Sequence, residues 1–288
     1  MSAHPDLPRH GWVCTHGRLP SGDSVVRHGR HSCARQIVVW IILILVAVTA
    51  VPRVGAQAGT MGPGTHPPST GMDRMIRTFL LADVLEYVPE ASAGTVRFDG
   101  LGWIGGDYNR VWLRSEAHIP TADPNAQVQA EALYGRLLTP FWDAVAGVRV
   151  DSRRFGTGER ETRGQLSLGF IGLSPYWIEM EPSVFVSQRG DISARLSAAV
   201  DLLLTQRLIL QPRTELNAAV QSVPRLGIGS GLNDLELGGR LRYELRREFA
   251  PYVGLAWRRR TGETAVLARA AGETVTEGVF SAGIRMWR

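Results

Sequence analysis

Residues 235–249 read LELGGRLRYELRREF. Leu235, Leu237, Leu241, Tyr243, Leu245 and Phe249 share one parity, while Glu236, Arg240, Arg242, Glu244, Arg246 and Glu248 share the other. Alternation with a period of two marks an extended strand with one apolar and one charged face. A soluble antiparallel sheet turns such leucines inward, and its strands are usually much shorter. The pattern recurs along the chain, so the charged parities are expected to line a shared interior.

The compartment decides which way that strand is turned. Residues 37–51, IVVWIILILVAVTAV, form an apolar run preceded by Arg27, Arg30 and Arg35 and followed by Ala56-Gln57-Ala58. The run is short for a membrane-spanning helix, and the Ala-x-Ala ending matches a signal-peptidase site. Residues 1–58 are therefore expected to be a cleaved signal peptide, with an uncleaved N-terminal anchor as the alternative. The long stretch ahead of the run suggests a translation start further downstream. Cleavage after Ala58 removes Cys14 and Cys33, and with them all thiol chemistry. It also removes six Arg and two Asp, so the whole chain's 32 basic and 27 acidic residues become 26 and 25. That near-neutral balance excludes the nucleic-acid partner that the excess of Arg invites.

Residues 59–75, GTMGPGTHPPSTGMDRM, hold too little apolar material to fold alone and read as a disordered linker. From Ile76 the chain divides into strand-length segments near 76–88, 94–104, 109–118, 125–137, 142–152, 163–174, 176–188, 191–203, 206–220, 235–248, 250–260 and 276–287, with no amphipathic helix. Tight turns at Gly105-Gly106-Asp107, Thr139-Pro140-Phe141, Ser174-Pro175, Leu204-Thr205 and Phe249-Ala250 alternate with longer polar loops at 119–124, 153–162, 221–234 and 261–275.

An even strand count, with short turns at one end and long loops at the other, is the plan of a bacterial outer-membrane barrel. The expected fold is all-β: an antiparallel up-and-down transmembrane β-barrel of about twelve strands over 76–288, in the outer membrane of a Gram-negative bacterium. Val111, Leu113, Trp142, Ala144, Ala146, Val148, Val150, Leu166, Leu168, Phe170, Tyr176, Ile178, Met180, Val184, Leu208 and Leu210 would face lipid. Arg110, Arg114, Glu116, Asp143, Arg149, Asp151, Glu179, Glu181, Arg195, Asp201, Arg207, Arg213 and Glu215 would face inward. An Arg on the lipid face would cost roughly 2–4 kcal/mol at midplane. Tyr108, Phe141, Trp142, Tyr176, Trp177, Phe249, Tyr252 and Trp287 cluster near the short turns or the C-terminus, as a girdle at the periplasmic interface would.

The lumen supports two readings. Glu116, Glu131, Glu179, Glu181, Asp201, Glu215, Glu236 and Glu244 could form an acidic track for a cation, interrupted by Arg110, Arg114, Arg149, Arg195, Arg213, Arg240 and Arg242. The same groups could pair into a structural plug, which a barrel of this size filled with long side chains favours. An enzyme is not expected. Downstream of residue 58 the histidines are His66 and His118 alone, and there is no G-x-S-x-G elbow.

The segments NRVWLRSE (109–116), EALYGRLLTPFW (131–142), SPYW (174–177), DLLLTQRLILQPRTELN (201–217), GIGS (227–230) and RYELRREFAPYVG (242–254) resemble the copper resistance protein B family of Gram-negative outer membranes. The likeness runs in order over nearly all of 73–288. It implies a barrel that binds, sequesters or helps export copper, in contact with lipid and beside periplasmic copper-binding proteins. In that family the segment between signal and barrel is typically crowded with Met and His, soft ligands suited to Cu(I) and Cu(II). This chain keeps Met61, His66, Met72 and Met75, which could supply one thioether-rich Cu(I) site or bind nothing strongly. His118, at a strand end beside a long loop, is a further candidate, although a lone histidine there is usually a solvated surface residue. The alternative function is a narrow or plugged channel, or a structural barrel, that has lost its metal segment.

Overall fold

The computed structural model describes residues 76–89, 94–122, 125–154 and 159–288. The strands are β1 Arg77–Val88, β2 Thr95–Gly105, β3 Asn109–Pro120, β4 Gln127–Thr139, β5 Trp142–Arg154, β6 Arg160–Ser174, β7 Ile178–Ser187, β8 Ile192–Ala199, β9 Leu202–Leu203, β10 Leu208–Ala219, β11 Gly231–Tyr243, β12 Phe249–Arg260 and β13 Thr276–Trp287. Each pairs antiparallel with its neighbours, and β1 pairs with β13 through Glu86 opposite Gly283. The sheet is a closed antiparallel barrel of twelve staves, in which the two-residue β9 continues β8 along β10. The break between β8 and β9 lies opposite Pro212, which has no N–H to donate to the ladder. Expected as one strand over 191–203, this segment is two for that reason.

Closure leaves no open edge, which permits a sheet to sit in lipid. The apolar parity faces out: Leu166, Leu168 and Leu255 are 60%, 54% and 68% exposed, and Val148, Phe170, Leu237, Leu241 and Phe280 share that surface. The charged parity faces in, so Arg149, Arg163, Asp143 and Arg242 are buried although charged.

Four local expectations are corrected. Residues 235–249 do not form one strand: β11 starts earlier, at Gly231, and stops at Tyr243, and Arg246 and Phe249 close a hairpin over Arg247-Glu248. Alternation runs on through the turn there, so Arg246 and Glu248 are exposed at the barrel's end. A helix, α1, occupies Gly262–Ala270 in the loop expected to lack one. It escapes a search for an apolar stripe because its buried face is Thr264, Ala265 and Ala268, small side chains packed on strand ends. Arg207, expected inside, is exposed in the turn before β10, where the Thr205 hydroxyl accepts its backbone N–H at 3.3 Å. The segment expected to begin a strand at Tyr176 begins instead with a 3₁₀ turn, Pro175–Trp177, in which Tyr176 and Trp177 have φ of 67° and 63°. Left-handed backbone at two aromatic residues is strained, and it leaves both rings in the open at the short-turn end.

Candidate functional site: the lumen

The lumen is built in rungs, because residues opposite one another in an antiparallel ladder share a face. One rung runs Leu101, Arg114, Glu131, Arg149, Gln165 across β2 to β6, and the next toward the long loops runs Asp99, Glu116, Gln129, Asp151, Arg163. Arg149 donates to Asp151 at 2.6 Å, to the side-chain oxygen of Gln129 at 2.6 Å and to Glu131 at 3.4 Å, and its guanidinium stacks 4.4 Å from the Phe185 ring. Sign alternates along the first rung and between the two at Arg114 with Glu116 and Arg149 with Asp151, whereas Asp99 and Glu116 stand opposite each other as like charges and need arginines from other strands.

The pairs also cross the interior. Arg195 on β8 donates to Glu116 on β3 at 2.9 Å, and Arg114 on β3 reaches Glu181 on β7. Arg213 on β10 lies 4.0 Å from Asp99 on β2 and 3.6 Å from Glu215. Arg258 pairs with Glu236 at 2.6 Å, and Arg97 reaches the same carboxylate at 3.9 Å. Nearer the short turns, Arg242 donates to Asp201 at 2.7 Å and lies 3.8 Å from Glu244. A bulge in β1 between Ala82 and Val84 inserts Asp83 into the lumen, where Arg240 at 2.9 Å and Arg285 at 2.8 Å both donate to it.

A cavity of about 140 Å³ remains among these groups, lined by Asp83, Asp99, Glu116, Glu131, Glu179, Glu181 and Glu215 against Arg114, Arg195, Arg213 and Arg285. Toward the short turns the filling becomes apolar on the side of β2 to β6. Trp112, Leu133 and Val145 pack inward with Leu101, Trp103 and Ile171, and Trp103 lies 6.1 Å from Trp112 and 6.2 Å from Phe79. The sequence reading missed this apolar layer, because Trp112 sits on the charged parity of its own strand. It also missed Asp83, Asp99, Glu86, Arg97, Arg258 and Arg285 as lumen groups. Asp83 is hidden by the bulge, which breaks the alternation of β1. Tyr252, read as part of the interfacial girdle, faces inward and donates its hydroxyl to Glu86 at 3.1 Å. Tyr108, Phe141, Tyr176, Trp177 and Trp287 are exposed near the short-turn end, and Trp287 donates its indole N–H to the Arg247 carbonyl at 2.6 Å.

The opposite mouth is crossed by the β10–β11 loop. Leu226 accepts from Arg153 of β5 at 3.1 Å, and Arg225 pairs with Glu161 of β6 at 3.5 Å, so the loop reaches over β7 and β8. Its other side is held by α1: Glu263 accepts from the Ser230 N–H and hydroxyl, each at 2.8 Å, and from the Ser222 hydroxyl at 3.0 Å. Thr264 accepts the Gly229 N–H at 2.9 Å. These donors hold the exposed Glu263 carboxyl below the usual glutamate range, the Ser230 N–H most strongly.

Of the candidate copper ligands, Met61, His66, Met72 and Met75 lie outside the described residues. His118 is exposed on β3, in register with Arg97 and Gln127. Among the described residues no three His, Cys, Asp or Glu side chains gather closely enough to hold a metal ion.

Residues 76–288 match the family model described as copper resistance protein B precursor. The chain belongs to the copper resistance protein B family. It is 40% identical over 240 residues to Copper resistance protein B of Escherichia coli, a match covering 83% of this chain and 77% of that protein. The Copper resistance protein B homolog of Pseudomonas syringae pv. tomato is likewise 40% identical over 240 residues, 83% of this chain and 78% of that one. Among solved structures the NanC porin is similar at 13% identity and a TM-score of 0.46, over 73% of this chain and 99% of that one. The KdgM porin is similar at 9% identity and a TM-score of 0.43. The barrel and the precursor family both fit an outer membrane, and the family ties the chain to copper resistance.

Proposed function

We propose that this copper resistance protein B family member sequesters copper at the outer membrane: the tail of Met61, His66, Met72 and Met75 takes Cu(I), and the barrel serves as its anchor and plug. The observation that carries the barrel's part is the cross-lumen pairing of Arg195 with Glu116, which with Arg114–Glu181 fills the interior. Lumen carboxylates are hard ligands, whereas thioethers and imidazole match Cu(I), so retention of copper belongs to the tail. In this reading residues 1–58 are removed on export, the long loops face outward, and periplasmic copper-binding proteins deliver the ion.

The test is metal analysis of purified protein titrated with Cu(I), beside a variant with Met61, His66, Met72 and Met75 replaced together. Copper retained by the first and lost by the second supports the proposal, and equal copper in both overturns it. A second reading, a narrow cation channel, is favoured by one observation: seven carboxylates against four arginines line the cavity. It predicts unchanged copper retention and a cation-selective conductance in planar bilayers.

A further inference from the structure

Toward the short turns the outward face of the barrel is nearly free of charge. Taking the registers strand by strand, Arg136 on β4 is the one charged residue at an outward strand position in that half among the described residues, and no outward strand position among them holds a carboxylate. Arg136 is in register with Asn109 on β3 and Ala144 on β5, and Arg136 and Asn109 are both exposed. Among the described residues its guanidinium meets no carboxylate. Asp143, next to Ala144 in the chain, faces the lumen and accepts from Arg110 at 2.9 Å. Tyr134, two residues from Arg136 on the same face, donates its hydroxyl to the Asn109 side-chain oxygen at 2.8 Å, so the free end of Asn109 is its NH2 group. Guanidinium and amide side by side form a surface of donors with one positive charge, and a singly charged anion complements it.

Beside these donors the surface is grooved. The outward residues of β5 there are Trp142, Ala144 and Ala146, flanked by Arg136 and Tyr134 on β4 and by Phe170 and Leu168 on β6. The walls stand two strand spacings, about 10 Å, apart over a floor of two methyl groups, which is room for an extended hydrocarbon chain. Tyr134, Leu168 and Phe170 are exposed along it. Trp142 closes the end near the short turn, its indole lying over Gly172, where a Cβ would come within 2.7 Å of the ring. From that end toward the midplane the surface offers an indole and a set of donors, then an apolar groove. A glycerophospholipid presents the complementary order, a phosphodiester and then acyl chains.

We propose that Arg136 and Asn109, with the groove over Ala144 and Ala146, bind a glycerophospholipid of the leaflet at the short-turn end, the donors taking its phosphodiester and the groove one acyl chain. This rests on the outer-membrane reading above, in which that leaflet is the inner one. The occupant is a lipid because the donors adjoin the apolar groove on the face turned to the bilayer. A second copy of the barrel does not fit, since its outward strand positions among the described residues supply no carboxylate to meet Arg136.

The experiment is native mass spectrometry of the full chain in detergent, incubated with phosphatidylglycerol, with diacylglycerol of the same chains, or with phosphatidylglycerol and an equal concentration of glycerol 3-phosphate. Wild-type protein is expected to retain phosphatidylglycerol about tenfold more strongly than diacylglycerol, with no displacement by glycerol 3-phosphate. R136Q is expected to lose that preference, and A146F, which fills the groove, to retain less of both lipids. R259Q, which removes an outward guanidinium at the other end of the barrel, is expected to behave as wild type. Heat-modifiable gel migration confirms folding of each variant, and the comparison of lipids on wild-type protein stands even if a variant fails to fold. Equal retention of the two lipids by wild type, an undiminished preference in folded R136Q, or displacement by glycerol 3-phosphate would each overturn the proposal. Flotation of wild type and R136Q with phospholipid vesicles tests the membrane reading separately: if neither floats, that reading fails, whereas flotation without a lipid preference sinks the site alone.

Discussion

Arg195 donates to Glu116 at 2.9 Å across the lumen, joining β8 to β3 from opposite sides of the barrel. Arg195 also meets Gln129 at 3.3 Å, Asn217 at 3.2 Å and Glu215 at 3.5 Å, so one guanidinium ties four strands together. Both partners are mostly withdrawn from solvent. Truncating one of them leaves a charge with no bulk water to screen it. Arg195→Ala should lower unfolding stability by about 3 kcal/mol, and Arg195→Met with Glu116→Met should recover most of that loss. A urea series read by heat-modifiable gel migration checks both, and equal stability of the single and double variants would refute the cross-strut. The same single variant should raise conductance in planar bilayers, because it removes the side chain that bars the cavity.

Asp83 occupies the extra position of the β1 bulge and satisfies Arg240 and Arg285 together. Asp83→Asn keeps the shape and removes the charge, leaving two arginines facing one neutral amide with Arg213 nearby. The expected cost is about 3 kcal/mol in the same urea series. Deleting the bulged residue altogether should leave the faces of β1 unchanged, since Ala82 and Val84 already pair with the consecutive residues Gly100 and Asp99, and should cost about as much as losing the carboxylate.

Trp112 is 6% exposed, and its indole N–H has no hydrogen-bond partner among the described residues. Its contribution is therefore packing against Leu133, Val145 and Trp103. Trp112→Phe should cost less than about 1.5 kcal/mol, whereas Trp112→Ala should cost about 3–5 kcal/mol. If the two variants are equally destabilised, the indole has an N–H role that the packing does not show.

Glu263 makes the loop across the mouth sensitive to acid. Its carboxyl titrates lower when it accepts from Ser230 and Ser222, so its contribution is complete above the ordinary glutamate value, about 4.3. That contribution fades as pH falls through the lowered folded value. Amide exchange at Ser230 should be flat with pH from neutrality to about 5, after correction for intrinsic rates, and should accelerate below that. Glu263→Gln should exchange faster at neutral pH and lose the acid dependence. Identical profiles for wild type and variant would show that Glu263 does not hold the loop.

The architecture was legible wherever one parity stayed apolar for a whole strand. Val148 with Val150, Leu166 with Leu168, and Leu237 with Leu241 each fix a face, and a face fixes a register. The sequence is less informative where chemistry replaces periodicity. Pro212 splits a strand through a missing donor on its partner's side of the ladder, and α1 packs alanine and threonine where a search expects leucine. The lumen charges on regular strands, Arg114, Glu116, Arg213 and Glu215, follow from alternation. Their partners do not, because Glu116 and Arg195 are 79 residues apart in the chain and meet only once the barrel curls. Asp83 and Asp99 stayed hidden because β1 is bulged and β2 carries glycines where its outward face needs leucines.

The seam between β1 and β13 governs the order of assembly. Arg285 and Asp83 are bonded across 202 residues of chain, and the backbones of Leu80 and Arg288 exchange both hydrogen bonds, at 2.9 and 2.8 Å. Loop-closure entropy of that length is spent before the seam returns anything, so the last pairing formed is the slowest. Until it forms, both margins carry unsatisfied amides that hydrocarbon cannot solvate, and no half-rolled form is stable in the bilayer. Curling and insertion must therefore proceed together as one concerted event.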